Sequence, residues 1–323
     1  IYAASPANSG SSRANGLASD GLRYGTSTMP ASTSHRTILT SNQAGGIRGR
    51  MVEMLVQDDG MEPVKSQQAI QALVDAQVDA VVGPFSSAVA QVAVPLSNRA
   101  GIVMVSPTVT STDFAGKDDF FIRINRTTQD NASEYAQLLY QRGQHRMALA
   151  YDTRNASYSL AWLDAFKVAY GALGGQVVAA VAFESDARTG FGSVVRQMLV
   201  QPVQGLLFIG SAIDVARLAQ QANKLAPQLP KSAAERASTE LLLELGGRAV
   251  EGLLIAQPFN RDDASERYRS FHRAFVARFA QAPSFSAVLA YDSTNVLCQA
   301  MVLQAQGQSL KEGALQKTEK IVR

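Results

Sequence analysis

Residues 51–84 read MVEMLVQDDGMEPVKSQQAIQALVDAQVDAVVGP, and they contain one complete strand–helix–strand unit. The apolar run Met51–Gln57 predicts a strand that ends at an Asp-Asp-Gly turn. The apolar residues after Pro63 recur at helical spacing, and a proline fits the first helical turn because its missing N–H group would have no partner there. A short β-rich run predicts the second strand at Asp79–Val82. Strands and helices that alternate in this way are typical of a parallel sheet.

The same alternation continues along the chain and forms two series of units, one before and one after Asn125. Further strands are expected at Ile102–Val105, Phe120–Ile124, Met147–Tyr151, Val177–Phe183, Gly205–Ile209 and Gly252–Gln257. Helices are expected at Ser87–Arg99, Asp130–Arg142, Ser159–Leu173, Phe191–Val200, Ala212–Leu225, Ser238–Leu245, Ala264–Phe279 and Phe285–Gln306, with a short piece near Leu310. The pattern predicts an α/β fold of two doubly wound, Rossmann-like lobes.

Long helices return near the end of the chain, which predicts that the chain crosses back to complete the first lobe. We expect lobe 1 to comprise residues 1–124 and 258–310, and lobe 2 to comprise residues 125–257 and 311–323. A multi-strand hinge should join the lobes near residues 123–128 and 256–259. Ligands of open parallel sheets bind beyond the carboxyl ends of the strands, so residues at those ends are the first candidates for a site.

The composition excludes several classes of protein. The chain has 323 residues, of which 46% are hydrophobic and 18% charged, so it is apolar enough to fold into about two domains rather than stay disordered. Its net charge of +3 comes without a Lys/Arg cluster, which argues against nucleic-acid binding. No stretch approaches the roughly 18 apolar residues of a membrane helix. The chain starts at Ile1 without a leader pattern, so we expect a mature or trimmed chain whose targeting signal has been removed.

Signatures of catalysis are absent from the sequence. It has no phosphate-binding loop, no dinucleotide-binding glycine motif, no zinc-binding histidine pair and no nucleophile elbow. The pair Asp58-Asp59 is expected to cap a turn or pair with a lysine rather than act in acid–base chemistry, and the single cysteine, Cys298, is expected to be a core thiol. We therefore predict a protein that is not an enzyme and has no catalytic residue, metal or cofactor.

Short motifs at the ends of strands appear in a specific order. They are Asn42–Arg50, Asp58-Asp59, Val78–Pro84 with Ser86-Ser87, Ser106-Pro107 with Thr110, Gly246-Gly247 to Glu251-Gly252, and Ala290–Asp292. This series resembles the branched-chain amino-acid-binding (Leu/Ile/Val-binding) family of ABC-transporter substrate-binding proteins over residues 42–315. The resemblance implies the type I periplasmic binding protein fold, in which two lobes close by a hinge motion about a ligand in the cleft between them.

The resemblance also implies a carboxylate site at the ends of first-lobe strands. Ser87 and Thr110 match positions that bind the ligand carboxylate, and Phe85, Ser86 and Thr108 are expected to be their neighbours. The N-terminus of a helix offers unpaired N–H groups and a partial positive charge, so it can hold a carboxylate without Arg or Lys. A plain helix N-cap remains the alternative for Ser87.

Three residues are implied from the second lobe. Tyr158 matches a position that presents an aromatic ring to the ligand, with a solvent-facing tyrosine as the alternative. Asp214 and Glu235 are the two candidates for binding the ammonium group of an amino acid. Asp214 could instead cap its helix, and Glu235 could instead form a surface pair with Arg236.

The chain also departs from the family pattern. Ser9-Gly10 fits the first loop, but residues 24–41 are long and lack apolar periodicity, which leaves the first helix uncertain. Ala212 stands where relatives often have an aromatic residue, which suggests a roomier pocket or a bulkier ligand. The chain stops at Arg323, before the last strands that normally recross the lobes, so we expect those strands to be missing or the chain to be truncated.

The predicted function is that of a periplasmic or extracellular, membrane-associated solute-binding protein. We expect a monomer that delivers a neutral or branched-chain amino acid to an ABC permease and binds no nucleic acid. A binder of aromatic acids or amides on the same fold is one alternative. A ligand-sensing receptor module that does not serve transport is the other.

Overall fold

The structure is a computed structural model, and it describes residues 2–6, 34, 37–38, 41–47, 49–186, 188–304 and 306–322. The predicted Ser9-Gly10 loop and most of the segment 24–41 lie outside the described residues, as does Arg323. Contacts divide the chain into two compact units. Unit 1 comprises residues 1–109, 117–125 and 286–323, and unit 2 comprises residues 110–116 and 126–285.

The described elements follow the predicted alternation of strands and helices. The strands are β1 (Tyr2–Pro6), β2 (Val52–Val56), β3 (Ala80–Val82), β4 (Val103–Ser106), β5 (Phe121–Arg123), β6 (Arg146–Asp152), β7 (Gln176–Phe183), β8 (Gly205–Ile209), β9 (Lys231–Ala233) and β10 (Leu254–Ile255). The helices are α1 (Pro63–Asp75), α2 (Ser87–Ala100), α3 (Thr128–Gln141), α4 (Ala156–Ala172), α5 (Phe191–Met198), α6 (Ala212–Leu225), α7 (Glu240–Gly246), α8 (Glu266–Phe279), α9 (Phe285–Gln304) and α10 (Leu310–Val322). Short 3₁₀ turns lie at Thr112–Phe114, Glu235–Ala237 and Gly247–Val250.

Unit 1 contains a mixed five-stranded sheet of order β2-β1-β3-β4-β5. The strands β3, β4 and β5 pair in parallel, as the repeated units predict. β1, however, pairs antiparallel with both β2 and β3, a direction that the alternation from residue 51 onward does not address. A short crossover helix between two strands makes those strands parallel. A long segment separates β1 from β2 instead, so the alternation pattern did not constrain the direction of β1.

Unit 2 contains a wholly parallel sheet of order β10-β9-β8-β6-β7. Successive residues of β8 face opposite sides of this sheet: Leu206 and Phe208 lie in one buried cluster, whereas Leu207 and Ile209 lie in another with Trp162 of α4. Such a two-residue period buries both faces of the sheet, and helices cover each face. The doubly wound prediction is therefore confirmed for unit 2.

The boundaries of the two units differ from the predicted lobes at residues 110–116, which lie in unit 2, at Asn125, which lies in unit 1, and in two longer segments. Residues 258–285 lie in unit 2 rather than with the first unit, and Arg261 of this segment forms an ion pair with Glu240 of α7. Residues 311–323 lie in unit 1, where α10 packs on β4 and β5 and Lys311 pairs with Asp118 at 2.6 Å. Both differences come from contacts between distant segments, which helical periodicity does not encode.

Three further details differ from the sequence analysis. The strand β9 was not predicted, because Lys-Ser-Ala contains no β-branched or aromatic residue, yet all three of its residues are buried. The short piece expected near Leu310 is the 13-residue helix α10. Asp58 and Asp59 accept hydrogen bonds from the N–H groups of Gly60 and Met61, which confirms their predicted turn-capping role.

Candidate functional site

In unit 1, two hydroxyl groups join the loop after β4 to the loop after β3. Ser106, which has no exposed surface, donates a hydrogen bond to the carbonyl oxygen of Pro84 at 2.8 Å. Thr108 donates to the carbonyl oxygen of Phe85, also at 2.8 Å. The predicted neighbours Phe85 and Thr108 are therefore in direct contact. The hydroxyl of Thr108 is engaged in holding the loop, and the Phe85 side chain is half-buried.

The two serines at the start of α2 occupy different positions from those expected. Ser86, not Ser87, is the N-cap residue, so the alternative of Ser87 as a plain N-cap is wrong. Ser87 is the first helical residue, and both serines are buried. The Ser86 side chain makes no capping bond to the helix, and the first turn contains no acidic residue. The N-terminus of α2 consequently keeps the partial positive charge that favours an anion.

Thr110 carries a buried hydroxyl without a hydrogen-bond partner. The residue is 2% exposed, and its Oγ1 atom is one of the few buried side-chain oxygens in the described part of the chain that bond to nothing. Its carbonyl oxygen accepts the N–H group of Thr128 at 2.8 Å, which fixes the backbone at the start of α3. Thr110 belongs to unit 2. A buried hydroxyl that bonds to no other protein group is unfavourable unless a water or a ligand bonds to it.

Tyr158, in the first turn of α4, is 4% exposed, so the alternative of a solvent-facing tyrosine is wrong. Its hydroxyl donates a hydrogen bond to Oε1 of Glu235 at 3.2 Å. Burial, and after it the charge of Glu235, raises the pKa of the Tyr158 hydroxyl well above its ordinary value. Tyr158 is thus a neutral hydrogen-bond donor to Glu235.

Glu235 is buried in a polar cluster, so the alternative of a surface pair with Arg236 is also wrong. The residue is 4% exposed, and Oε2 accepts the indole N–H group of Trp162 at 3.1 Å. The Asn131 side chain is also hydrogen-bonded to the carboxyl group. Burial raises the pKa of Glu235 above its ordinary value, although the hydrogen bonds from Trp162, Asn131 and Tyr158 act in the opposite direction.

Asp214 caps α6, as one of the two alternatives predicted. Its side chain accepts the N–H group of Ser211 at 3.1 Å and the Ser211 hydroxyl at 2.6 Å, while Ser211 accepts the N–H group of Asp214. Its other oxygen accepts the hydroxyl of Ser185 at 2.7 Å. Asp214 is 1% exposed, and the neighbouring Ala212 is the first residue of the helix. Tyr158 and Glu235 are bonded to each other, whereas Asp214 is held by a separate set of partners.

Sequence reasoning missed an ion pair at the same strand ends of unit 2. Nη1 of Arg236 lies 3.6 Å from Oδ2 of Asp152, the last residue of β6. Oδ1 of this aspartate accepts the N–H groups of Arg154 and Ser185. A separation of 3.6 Å is an ion-pair distance but too long for a hydrogen bond, and Nη1 of Arg236 is indeed buried without a hydrogen-bond partner. The sequence signal that could have indicated this ion pair was Asp152, an acidic residue at the end of β6.

The described residues contain no group of three or more His, Cys, Asp or Glu side chains placed to hold a metal ion. Nor does any helix among them have both the length and the apolar character needed to cross a membrane.

Comparisons with known proteins agree with the fold. A family model described as periplasmic binding protein matches residues 39–318. The Leu/Ile/Val-binding protein of Escherichia coli is 22% identical over 226 residues, which cover 68% of this chain and 60% of that protein's length. The matched part is therefore less than two thirds of this relative. The family-model match and this relative confirm the resemblance predicted from the ordered strand-end motifs.

Two solved structures of low sequence identity share the fold. A branched-chain amino acid transporter substrate-binding protein from Streptococcus pneumoniae, in complex with isoleucine, has a TM-score of 0.78 at 20% identity and covers 91% of this chain and 83% of its own. A solute-binding protein from Rhodopseudomonas palustris in complex with 4-hydroxybenzoate has a TM-score of 0.78 at 19% identity, with coverages of 91% and 82%. The type I periplasmic binding fold is confirmed.

Proposed function

We propose that this chain, which belongs to the periplasmic binding protein family, is the solute-binding component of an ABC importer and binds a small carboxylate. Members of this family bind transported solutes and are not enzymes, and the chain lacks the sequence signatures of catalysis. The proposal assigns the carboxylate to Ser86, Ser87 and Thr110, with Phe85 and Thr108 shaping the surrounding loop.

The buried hydroxyl of Thr110 is the observation that carries this assignment. Folding has desolvated Oγ1 of Thr110 without giving it a partner, and such an oxygen costs stability until a ligand or a water bonds to it. A hydroxyl can donate to a carboxylate oxygen, and hydrogen bonds to a charged group are stronger than those between neutral groups. The N-terminus of α2, whose first turn contains no acidic residue, supports the same ligand charge.

Two classes of ligand fit the proposal. Neutral or branched-chain amino acids are the first, because the named relatives include a Leu/Ile/Val-binding protein and an isoleucine complex. Aromatic acids are the second, because a neighbour of the same fold was solved with 4-hydroxybenzoate. Both classes share the carboxylate that Ser87 and Thr110 are proposed to bind.

Isothermal titration calorimetry with leucine, isoleucine, phenylalanine, benzoate and 4-hydroxybenzoate tests the proposal. Ser87→Ala should weaken the binding of the preferred carboxylate by about 1–3 kcal/mol, the usual cost of removing a hydrogen bond to a buried charge. Thr110→Val should weaken binding to a similar extent. Because its hydroxyl bonds to no other protein group, this change should leave the stability of the free protein unchanged or slightly raised.

Ser293→Ala is the matched control. Ser293 lies inside α9, and its hydroxyl is likewise buried without a hydrogen-bond partner. Its removal should change neither stability nor affinity appreciably. The proposal fails if no carboxylate in the panel binds, and the assignment of Thr110 fails if Thr110→Val binds as tightly as the unaltered protein.

Delivery to a permease and an extracytoplasmic location follow from the same proposal. A ligand-sensing module that feeds a regulator is the second reading of the same fold. Reconstituted import separates them: in vesicles that contain a candidate ABC permease from the same organism, the ligand-loaded protein should stimulate uptake as a monomer. A receptor module would bind the ligand equally well and support no uptake.

A further inference from the structure

The helix α8 of unit 2 carries the net positive charge of the chain. It contains one acidic residue, Glu266, and four arginines: Arg267, Arg269, Arg273 and Arg278. With histidine counted as neutral, its net charge is +3, the same as that of the whole sequence, so the charges outside α8 cancel. No acidic residue follows Glu266 until Asp292. The excess positive charge is thus concentrated on one element.

The helical period places two of these arginines on one exposed side of α8. The four arginines are two to five positions apart, so they form no run in the sequence. Arg269 and Arg273 are four residues apart, and side chains at this spacing are neighbours on a helix. Both are exposed, whereas Phe271 and Phe275 on the opposite side are buried. We call the exposed side the arginine face, and it consists of Arg269, Ser270, Arg273, Val276 and Ala277.

The stability of the helix does not explain the arginine face. Positive charges stabilise the C-terminal turn of a helix, where Arg278 lies, and are unfavourable near the N-terminus. Arg269 is the fourth residue of α8, and its side chain makes no hydrogen bond or ion pair with any residue that the structure describes. Arg273 pairs with Glu266 at 2.7 Å, but the two side chains are 64% and 74% exposed, and such a surface pair contributes little. Both guanidinium groups are therefore accessible to an anion outside the protein.

The arginine face suits an anionic surface better than it suits a protein partner. A stable protein interface has an apolar core from which charged residues are depleted. Of the residues of α8, all of which the structure describes, Val276 is the only large apolar residue that is exposed. A layer of anionic phospholipids attracts Lys and Arg by charge and needs no apolar core. Guanidinium groups also bind phosphate oxygens through pairs of parallel hydrogen bonds.

We propose that the arginine face of α8 binds the phosphate groups of an anionic phospholipid surface. Phe271 and Phe275 are buried in the protein, so the attachment uses charge rather than insertion of apolar side chains. Such an attachment is reversible and is weakened by salt. It goes beyond the proposed function and does not depend on the carboxylate site. For a solute-binding component, it keeps the protein near a partner that is embedded in the membrane.

Co-sedimentation of the full chain with lipid vesicles tests the proposal. Vesicles of equal parts phosphatidylglycerol and phosphatidylcholine are compared with vesicles of phosphatidylcholine alone, at about 20 mM and about 200 mM NaCl. The protein should bind the anionic vesicles at the lower salt concentration and bind them at least about 10-fold more weakly at the higher one. It should not bind phosphatidylcholine at either concentration.

Two double variants identify the surface that binds. Arg269→Gln with Arg273→Gln should weaken binding about 25-fold, because each basic residue near an anionic surface contributes a factor of about 5. Arg196→Gln with Arg248→Gln is the matched control, since it removes the same charge from two exposed arginines of unit 2 outside α8. The control should weaken binding by less than about 3-fold. Thermal melting shows that each variant is folded before its binding is compared.

Three results would overturn the proposal. The first is no binding to the anionic vesicles at the lower salt concentration. The second is an equal loss for the two double variants, which would show attraction by net charge without a defined surface. The third uses poly-L-glutamate at a matched concentration of anionic groups: if the protein binds it as tightly as the anionic vesicles, the arginine face fits an acidic protein segment instead. The carboxylate titrations are measured without vesicles, so failure of either proposal is distinguishable from failure of the other.

Discussion

Removal of one hydroxyl that joins two loops of unit 1 should destabilise this unit. Ser106 has no exposed surface; its Oγ atom donates to the carbonyl oxygen of Pro84 at 2.8 Å and accepts the N–H group of Val109 at 3.1 Å. Ser106→Ala leaves the buried N–H group of Val109 without an acceptor, which costs about 1–3 kcal/mol, and it also loses the bond to Pro84, worth about 1 kcal/mol. We expect the free energy of unfolding to fall by about 2–4 kcal/mol.

Ser66→Ala is a matched control within the same unit. Ser66, in α1, also has no exposed surface, but its hydroxyl has no hydrogen-bond partner. Its removal relieves a buried unpaired group and introduces the best helix former, so stability should stay the same or rise by up to about 1 kcal/mol. The two variants therefore make the same chemical change at equal burial with opposite expected outcomes.

Urea unfolding followed by far-UV circular dichroism measures both variants. With a slope of about 2 kcal/mol per molar urea, the loss at Ser106 corresponds to a midpoint lowered by about 1–2 M. The only tryptophan of the chain, Trp162, lies in unit 2, so its fluorescence reports that unit separately and should change little. Equal losses for Ser106→Ala and Ser66→Ala, or a loss below about 0.5 kcal/mol at Ser106, would refute the hydrogen-bond reasoning.

Two further predictions concern titratable groups. Burial raises the pKa of Glu235 above its value in the unfolded chain. The folded protein therefore loses stability as the pH rises from the unfolded pKa through the folded one, because the buried group then ionises. Below the unfolded pKa there is no such loss of stability. Glu235→Gln, which cannot ionise, should therefore gain stability relative to the unaltered protein between pH 4 and pH 8 in urea titrations; a difference that is flat or moves the other way would contradict the shift. Cys298 is half-buried rather than fully buried, and burial raises the pKa of its thiol to about 11. Iodoacetamide should therefore modify it at pH 8 far more slowly in the folded protein than in urea, and equal rates would show an accessible thiolate.

The positions of most elements were predictable because they depend on local patterns. The two-residue period of a buried strand and the helical spacing of apolar residues are properties of a short segment, so β8 and α6 were located at their observed bounds. The same patterns placed Ser87 and Tyr158 at the starts of helices that follow strands. Strand β9 escaped this reasoning because its three residues owe their burial to neighbouring strands, not to their own composition.

The surroundings of the predicted site residues were harder to predict from the sequence than the positions of strands and helices. Sequence position correctly indicated that Asp214 follows β8, whereas Glu235 was a candidate through the family resemblance. Neither signal could tell which donors surround each carboxylate. Those donors, Ser185 and Trp162 among them, come from segments far away in the sequence. Which hydrogen bonds each carboxylate accepts is therefore decided only when these segments pack together.

The amino-acid sequence thus determined the family and the α/β alternation, since these follow from motifs in order and from local periodicity, and it predicts a candidate site at strand ends. Only the tertiary structure decided that Glu235 is an enclosed acceptor, that Thr110 holds an unmet hydroxyl, and that Arg236 meets Asp152 without a hydrogen bond. The physical reason is that burial and partner distance depend on which distant segments come into contact. A site can offer a ligand only those hydrogen-bond donors and acceptors that remain unpaired after these contacts have formed.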